Sequence, residues 1–182
     1  MNWLQTVLVL GAAFLAVFWE GAFGGVRHLL GAQVDLLPPL MVYASLCTGI
    51  TTVTLLALCG GLWFDSLSAN PLGVSVLPLF AIGLAIDLKR DLILRDQTFA
   101  QLVLGLAASA TAAVLKLLLL LTMGRAPLLG WGTLWQLIVL SAGGAVATPI
   151  YFELFGWLQR ALVHRGDTQS SFRPDREIRR GK

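Results

Sequence analysis

The sequence predicts an all-α integral membrane protein, built as a bundle of about six transmembrane helices. Hydrophobic residues make up 57% of the chain and charged residues only 13%, and the mean hydropathy is +0.78. A soluble domain is nearer half apolar and a quarter charged. Several apolar runs also reach the length of about 20 residues that a helix needs to cross the hydrocarbon core. We therefore expect residues 1–162 to form one helical bundle and residues 163–182 to form a basic, disordered cytoplasmic tail.

The first helix is predicted over residues 3–23. This stretch lacks the basic start of a signal peptide, and its apolar run is longer than the roughly 7–15 residues of a signal-peptide core. We interpret it as a helix that the protein retains. Trp3 and Trp19 would lie near the two headgroup levels, where amphipathic rings are enriched.

The stretch 36–66 is too long for one comfortable helix and short for two. Gly49 and three threonines interrupt it in "CTGITT" at 47–52, which predicts two short helices over 38–48 and 51–66. One long tilted helix is the alternative interpretation. Three further apolar runs complete the set of six: 72–88, 99–123 and 131–158.

The charges predict how the bundle is oriented. Ten of the 13 basic residues lie in the loop 87–96 or from Arg160 onward, and short loops rich in Lys and Arg stay cytoplasmic. Arg27 and Arg125 then fall in outer loops, and six helices place both termini in the cytoplasm. A five-helix count fits the same charges with the N-terminus outside. The net charge of +3 is explained by this topology and by a tail lying on anionic membrane lipid, so we expect no nucleic-acid partner.

The segment "GGLWFDSLSANPLG" at 60–73 places a carboxylate inside an apolar region. Pro71 and Gly73 suit an outer turn between two helices, and Ser68 or Asn70 could cap the second helix. Asp65 has two interpretations. It either caps this turn, or it is a charged anchor that pairs with a base such as Lys116 or with a donor from a partner.

Two more ionisable residues lie within predicted helices. Lys116 and Glu20 are both expected in the outer leaflet, at depths similar enough for the two side chains to pair after snorkelling. Alternatively, Lys116 extends toward the headgroups. The small-residue segments 105–113 and 141–147 are expected to be faces on which helices pack closely.

The sequence offers little support for catalysis or for a cofactor. His28 and His164 are far apart, and Cys47 and Cys59 form no CxxC pair, so neither a metal site nor a disulfide is expected. The nucleotide-binding and hydrolase motifs that would indicate an enzyme are missing from the sequence. We therefore predict a protein that is not an enzyme.

The order of motifs resembles the MreD family of rod shape-determining membrane proteins. An apolar helix that ends Gly-x-x-x-Asp is followed by a Ser-rich turn and by Pro-Leu-Gly, which opens another apolar helix. The residues that carry this resemblance are Gly61, Asp65, Ser66, Ser68, Pro71, Leu72 and Gly73. Two prolines before the second helix, Pro38 and Pro39, and the last helix "ATPIYFELFGWLQRAL" at 147–162 extend the resemblance over most of the chain.

The resemblance implies a function that composition alone could not indicate. MreD-like proteins are non-enzymatic subunits of the bacterial cell-wall elongation machinery in the inner membrane. They pair with the single-span periplasmic protein MreC, near RodA, its penicillin-binding transpeptidase and the filament protein MreB. Their fold resembles the substrate-binding subunits of energy-coupling-factor transporters, so a vitamin-like small-molecule binding subunit is the alternative. Gly61, Asp65, Ser66, Ser68, Pro71, Gly73, Lys116 and Glu20 are the candidate structural or partner-binding residues.

Overall fold

The computed structural model describes residues 3–22, 34–68, 71–90, 93, 97–124 and 130–166, with side chains as far as residue 161. All regular structure in these residues is helical. The six helices are α1 (Trp3–Ala22), α2 (Leu37–Cys47), α3 (Ile50–Leu67), α4 (Val76–Lys89), α5 (Thr98–Thr122) and α6 (Trp131–Gly166). An all-helical architecture with six helices is confirmed for the part of the chain that the structure describes, whereas the prediction that all six cross the membrane is not.

The break between α2 and α3 lies at Thr48 and Gly49, both of which adopt extended backbone conformations. The Thr48 backbone N–H and hydroxyl both donate to the Ala44 carbonyl, which ends α2. The Gly49 carbonyl then accepts the first hydrogen bonds of α3. Because a threonine hydroxyl can bond a carbonyl four residues back, it competes with continuation of the helix. The alternative of one long helix over 36–66 is therefore wrong.

Four of the helices are long and apolar enough to cross a membrane: α1, α3, α5 and the segment Trp131–Ala161 of α6. At 1.5 Å per residue, α2 is about 16 Å long and α4 about 21 Å, both short of the roughly 30 Å hydrocarbon core. Every residue of α2 from Leu37 to Leu46 is buried. Neighbouring helices, not lipid, therefore surround α2.

Contacts at both ends of α1 show that α1 and α3 run parallel. The hydroxyl groups of Thr6 and Thr52 lie 2.9 Å apart near the start of both helices, and Gly21 packs against Leu67 where both helices end. Helix α4 returns antiparallel to α3, because Val76 at its beginning packs on Gly61 near the end of α3, and Gly83 farther along packs on Val53 near the beginning of α3. We call the two ends of the bundle the Thr52 end and the Asp65 end. On the predicted topology the Asp65 end faces outward.

Helices α5 and α6 meet through small residues. Gly105 and Ser109 of α5 lie against Gly144 and Thr148 of α6. The Thr148 hydroxyl donates to the Gly144 carbonyl at 2.8 Å, so it is satisfied inside its own helix. The two small-residue segments that we expected to pack closely do meet, and they set the antiparallel register of this pair.

The chain divides into two compact units, residues 1–151 and residues 152–182. The described part of the second unit is the end of α6, which continues to Gly166 and not to 158 as predicted. The Arg160 guanidinium donates to the Gly156 carbonyl one turn earlier, and the next proline comes only at position 174, so the sequence has no strong stop signal at 158. The predicted tail beyond residue 166 lies outside the described residues.

Candidate functional site

Asp65 joins the end of α3 to the beginning of α4. Its side chain is buried, with only 1% exposed. The Oδ2 atom accepts the backbone N–H of Gly73 at 2.8 Å and that of Ser75 at 3.0 Å. These N–H groups precede α4 and would otherwise be buried without an acceptor, which is costly. Asp65 is therefore the cap of this turn.

Two glycines of the motif allow this turn to form. A Cβ atom on Gly61 would lie 2.9 Å from the Cα atom of Val76, so α3 and α4 approach each other at backbone distance here. Gly73 has a φ of +93°, a conformation that L residues rarely adopt. Both positions therefore require glycine, the first for space and the second for backbone geometry.

The serines of the motif have local roles. The exposed Ser66 donates its hydroxyl to the Trp63 carbonyl at 2.8 Å. Ser68 ends α3 and donates to the Asp65 carbonyl at 3.4 Å, so it does not cap α4 as we had considered. Pro71 lies in the turn, and α4 begins only at Val76 because the preceding N–H groups bond to Asp65. Asn70, the other capping candidate, lies outside the described residues.

Lys116 pairs with Asp35, which contradicts each partner that the sequence suggested for it. Its Nζ atom lies 2.6 Å from the Oδ2 atom of Asp35, and the side chains are only 14% and 4% exposed. The amino group also lies 4.3 Å from the centre of the Phe64 ring, close enough for a cation–π contact. Lys116 thus neither anchors Asp65 nor extends to the headgroups, because a closer carboxylate already neutralises it.

Glu20 lies in the same cluster but bonds to backbone. Its Oε1 atom accepts the Leu36 N–H at 2.5 Å, and Asp35 and Lys116 are charged neighbours of its carboxyl group. Glu20 and Lys116 both reach the residues just before α2, and their depth in the outer leaflet stays a prediction. The predicted direct pair is wrong, because Asp35 occupies the amino group of Lys116.

These carboxylates together satisfy the beginning of α2. The first N–H groups of any helix have no partner inside the helix. Here the Leu36 N–H donates to Glu20, and the Leu37 N–H donates to Oδ1 of Asp35 at 3.0 Å. Pro38 and Pro39 follow and have no N–H to satisfy. A short helix can therefore begin inside the bundle without unsatisfied donors.

Asp35 is the site residue that sequence reasoning missed, since it was assigned to a loop. The available signal was its position two residues before a Leu-Pro-Pro helix start, where an acidic side chain can bond the first N–H groups. Its ion pair with Lys116 joins residues 81 positions apart. We call Glu20, Asp35 and Lys116 the charged cluster.

At the Thr52 end a cleft of about 300 Å³ lies between α1 and the α2–α3 turn. It is lined by Gln5, Thr6, Cys47, Thr48, Gly49, Thr51 and Thr52. Cys47 and Cys59 form no disulfide with each other in the described residues. Among the described residues no group of three or more His, Cys, Asp or Glu side chains could hold a metal ion.

No family model, no curated protein and no solved structure matches this chain.

Proposed function

We propose that this protein is a non-enzymatic membrane subunit of the bacterial cell-wall elongation machinery, of the MreD kind. It resides in the inner membrane with both termini in the cytoplasm. Its outer end binds a single-span MreC-like partner and so brings that partner close to RodA, the transpeptidase and MreB. In this role the protein supplies a fixed surface and carries out no reaction.

One observation supports the proposal: the motif that carries the MreD resemblance forms a turn whose backbone is fixed by buried contacts. Asp65 holds the turn through two backbone N–H groups, Gly61 brings α3 and α4 together, and Gly73 supplies the positive φ. A turn fixed in this way is preorganised, which lowers the entropy cost of binding. It presents Leu67 and Leu72 on the surface of the Asp65 end, the end at which a periplasmic partner would be met.

The alternative is a subunit that binds a vitamin-like small molecule, and the charged cluster favours it. In membrane transporters, short helices that begin within the bundle and carry ionisable neighbours at their ends mark binding sites. Helix α2 has both properties, with Asp35 and Lys116 at its beginning. In this structure, however, Lys116 and Asp35 pair with each other, and α2 itself is packed on all sides.

Copurification tests the proposed partner. The chain is co-expressed with the MreC-like protein of the same bacterium and isolated from membranes. Leu72→Glu places a charge on the outer turn and should reduce recovery of the partner severalfold. Leu88→Glu is the matched control, since Leu88 is 73% exposed against 70% for Leu72 but lies toward the Thr52 end. Equal recovery with both variants would contradict binding at the outer turn.

Depletion of the protein in its own host separates the two functions. Loss of an elongation subunit should turn rod-shaped cells round while the uptake of vitamins is unchanged. Loss of a solute-binding subunit should reduce uptake of one small molecule and leave cell shape intact. The second outcome would replace the proposed function by the alternative.

A further inference from the structure

The charged cluster contains two carboxyl groups and one amino group in an apolar part of the bundle. An uncompensated charge is expensive in such surroundings, whereas a neutral set of groups is not. One of the two carboxyl groups can be neutralised by Lys116, and the other needs a different source of neutrality. The hydrogen bonds show which carboxyl group that is.

Asp35 has the donors that an ionised carboxylate requires. Its Oδ1 atom accepts the Leu37 N–H, and its Oδ2 atom accepts from the amino group of Lys116 at 2.6 Å. Both oxygens are therefore acceptors, and one donor is cationic. Charge-assisted bonds of this kind stabilise the ionised form of a carboxyl group.

Glu20 has a different environment. Its Oε1 atom accepts one backbone N–H, from Leu36, and its Oε2 atom is buried with no hydrogen-bond partner among the described residues. An ionised carboxylate would leave that oxygen both charged and unsolvated beside Asp35. In the part of the chain that the structure describes, the titratable groups around Glu20 are Asp35 before α2, Lys116 on α5 and Tyr151 on α6. Lys116 is already engaged by Asp35.

We propose that Glu20 is a proton-binding site, which carries its proton on Oε2 and makes the charged cluster electrically neutral. In the protonated form Glu20 still accepts the Leu36 N–H through Oε1, so α1 holds the beginning of α2. Release of the proton places a second, poorly solvated negative charge beside Asp35, and the repulsion between the two carboxylates destabilises the junction of α1 and α2. The stability of the contact between α1 and α2 therefore depends on pH, because it requires Glu20 to be protonated. This inference does not rest on the proposed function.

Infrared spectroscopy of the full-length protein in lipid nanodiscs tests the proposal. The chain has three glutamates, Glu20, Glu153 and Glu177, so the variant Glu153→Gln/Glu177→Gln leaves Glu20 as the sole glutamate. With carbon-13 labelling of glutamate, the carbonyl band of a protonated carboxylic acid should be present at neutral pH and should shift with the label. The band should disappear on further replacement with Glu20→Gln. The same band should persist in the Asp87→Asn variant, which removes a carboxyl group near the end of α4.

Thermal unfolding gives a second readout that does not depend on the band. From mildly acidic to alkaline pH, the unfolding midpoint of the sole-glutamate variant should fall as Glu20 loses its proton. The midpoint of the Glu20→Gln form should vary less over the same range.

If no glutamic-acid band exists at neutral pH, the proposal is wrong. If stability instead follows the sodium concentration at constant pH and ionic strength, the site binds a metal cation and not a proton. If Glu20→Gln fails to insert, the label shift in the sole-glutamate variant still decides the question.

Discussion

Two carboxylates at the Asp65 end remain buried by different means. Asp65 accepts two backbone N–H groups and has no ion pair with any described residue. Asp35 accepts one backbone N–H and the amino group of Lys116. Backbone donors are fixed by the turn, and a lysine side chain must be ordered to reach its partner. Substitutions at the two sites should therefore have different consequences.

At Asp65 the cap predicts a graded loss of stability. Asp65→Ala leaves the half-buried Gly73 N–H and the buried Ser75 N–H without an acceptor. It should lower the free energy of unfolding by about 2–6 kcal/mol, at about 1–3 kcal/mol for each group. Asp65→Asn keeps one oxygen as acceptor and should cost only about 1 kcal/mol. Chemical unfolding in detergent measures both. Ser66→Ala, next to Asp65 but exposed, is the control, and equal effects of Ala and Asn at position 65 would contradict the cap.

The pair of Asp35 and Lys116 predicts strong coupling in a double-mutant cycle. Asp35→Asn or Lys116→Met alone leaves one buried charge uncompensated and should cost about 3–5 kcal/mol. The double variant should cost clearly less than the sum of the two single variants. The longer pair of Arg90 and Asp87, 3.5 Å apart with side chains 48% and 17% exposed, is the control and should show coupling of about 0–1 kcal/mol. Additive effects at Asp35 and Lys116 would show that the ion pair does not form.

Among the helices, the seam between α5 and α6 depends most directly on small residues. Their backbones approach closely at Gly105 and Gly144, so packing and not side-chain chemistry holds this pair together. A helix pair of this kind has little room for added atoms.

We expect Gly105→Ala to destabilise the seam. The added methyl group would overlap Thr148 and lie 2.5 Å from the Gly144 carbonyl oxygen. Overpacking of this kind costs about 1–3 kcal/mol. Gly132→Ala is the matched control, because a methyl group there meets nothing within 4 Å, and it should be neutral or slightly stabilising. The measurement is the free energy of unfolding of the two variants in detergent. If the Gly105→Ala protein is as stable as the Gly132→Ala protein, α5 and α6 can move apart at little cost and close packing does not hold them together.

The helices could be predicted from sequence because apolar runs and their interruptions are local signals. The break at Thr48 and Gly49 is an example, since the threonine hydroxyl and the glycine act on their own helix ends. The beginning of α4 was placed four residues too early because the N–H groups before it bond to Asp65. The partner of Lys116 could not be predicted either. It lies 81 residues away, and nothing in the sequence distinguishes Asp35 from Asp65 or Glu20 as the nearest carboxylate.

For the whole molecule, the orientation in the membrane is the main prediction still to be tested. In a variant without Cys47 and Cys59, a cysteine at position 27 or 125 should be labelled from outside the cell, and one at position 95 only from inside. All three positions lie outside the described residues, and the prediction follows from the charge distribution. A cysteine at position 2 labelled from outside would place the N-terminus outside and contradict the proposed topology.

The C-terminal segment should be dispensable for the bundle. Residues 168–182 are mostly polar or charged, and basic residues near an anionic leaflet contribute about 1 kcal/mol each to surface binding. Deletion of 168–182 should leave the amount of protein in the membrane unchanged. Loss of insertion, measured by membrane fractionation, would show that the segment is part of the folded structure.

The complete burial of α2 has a consequence for biosynthesis. The helices that cover it include α4 and α5, which leave the ribosome after it. An 11-residue helix is too short to remain in a bilayer alone, so α2 must leave the translocon together with α3 as one hairpin. The surface of α2 that α4 and α5 cover in the folded protein is then exposed to lipid until those helices are inserted. A chain cut after α3 should therefore be recognised by membrane quality-control proteases, although it already contains two of the four helices that are long enough to span the membrane.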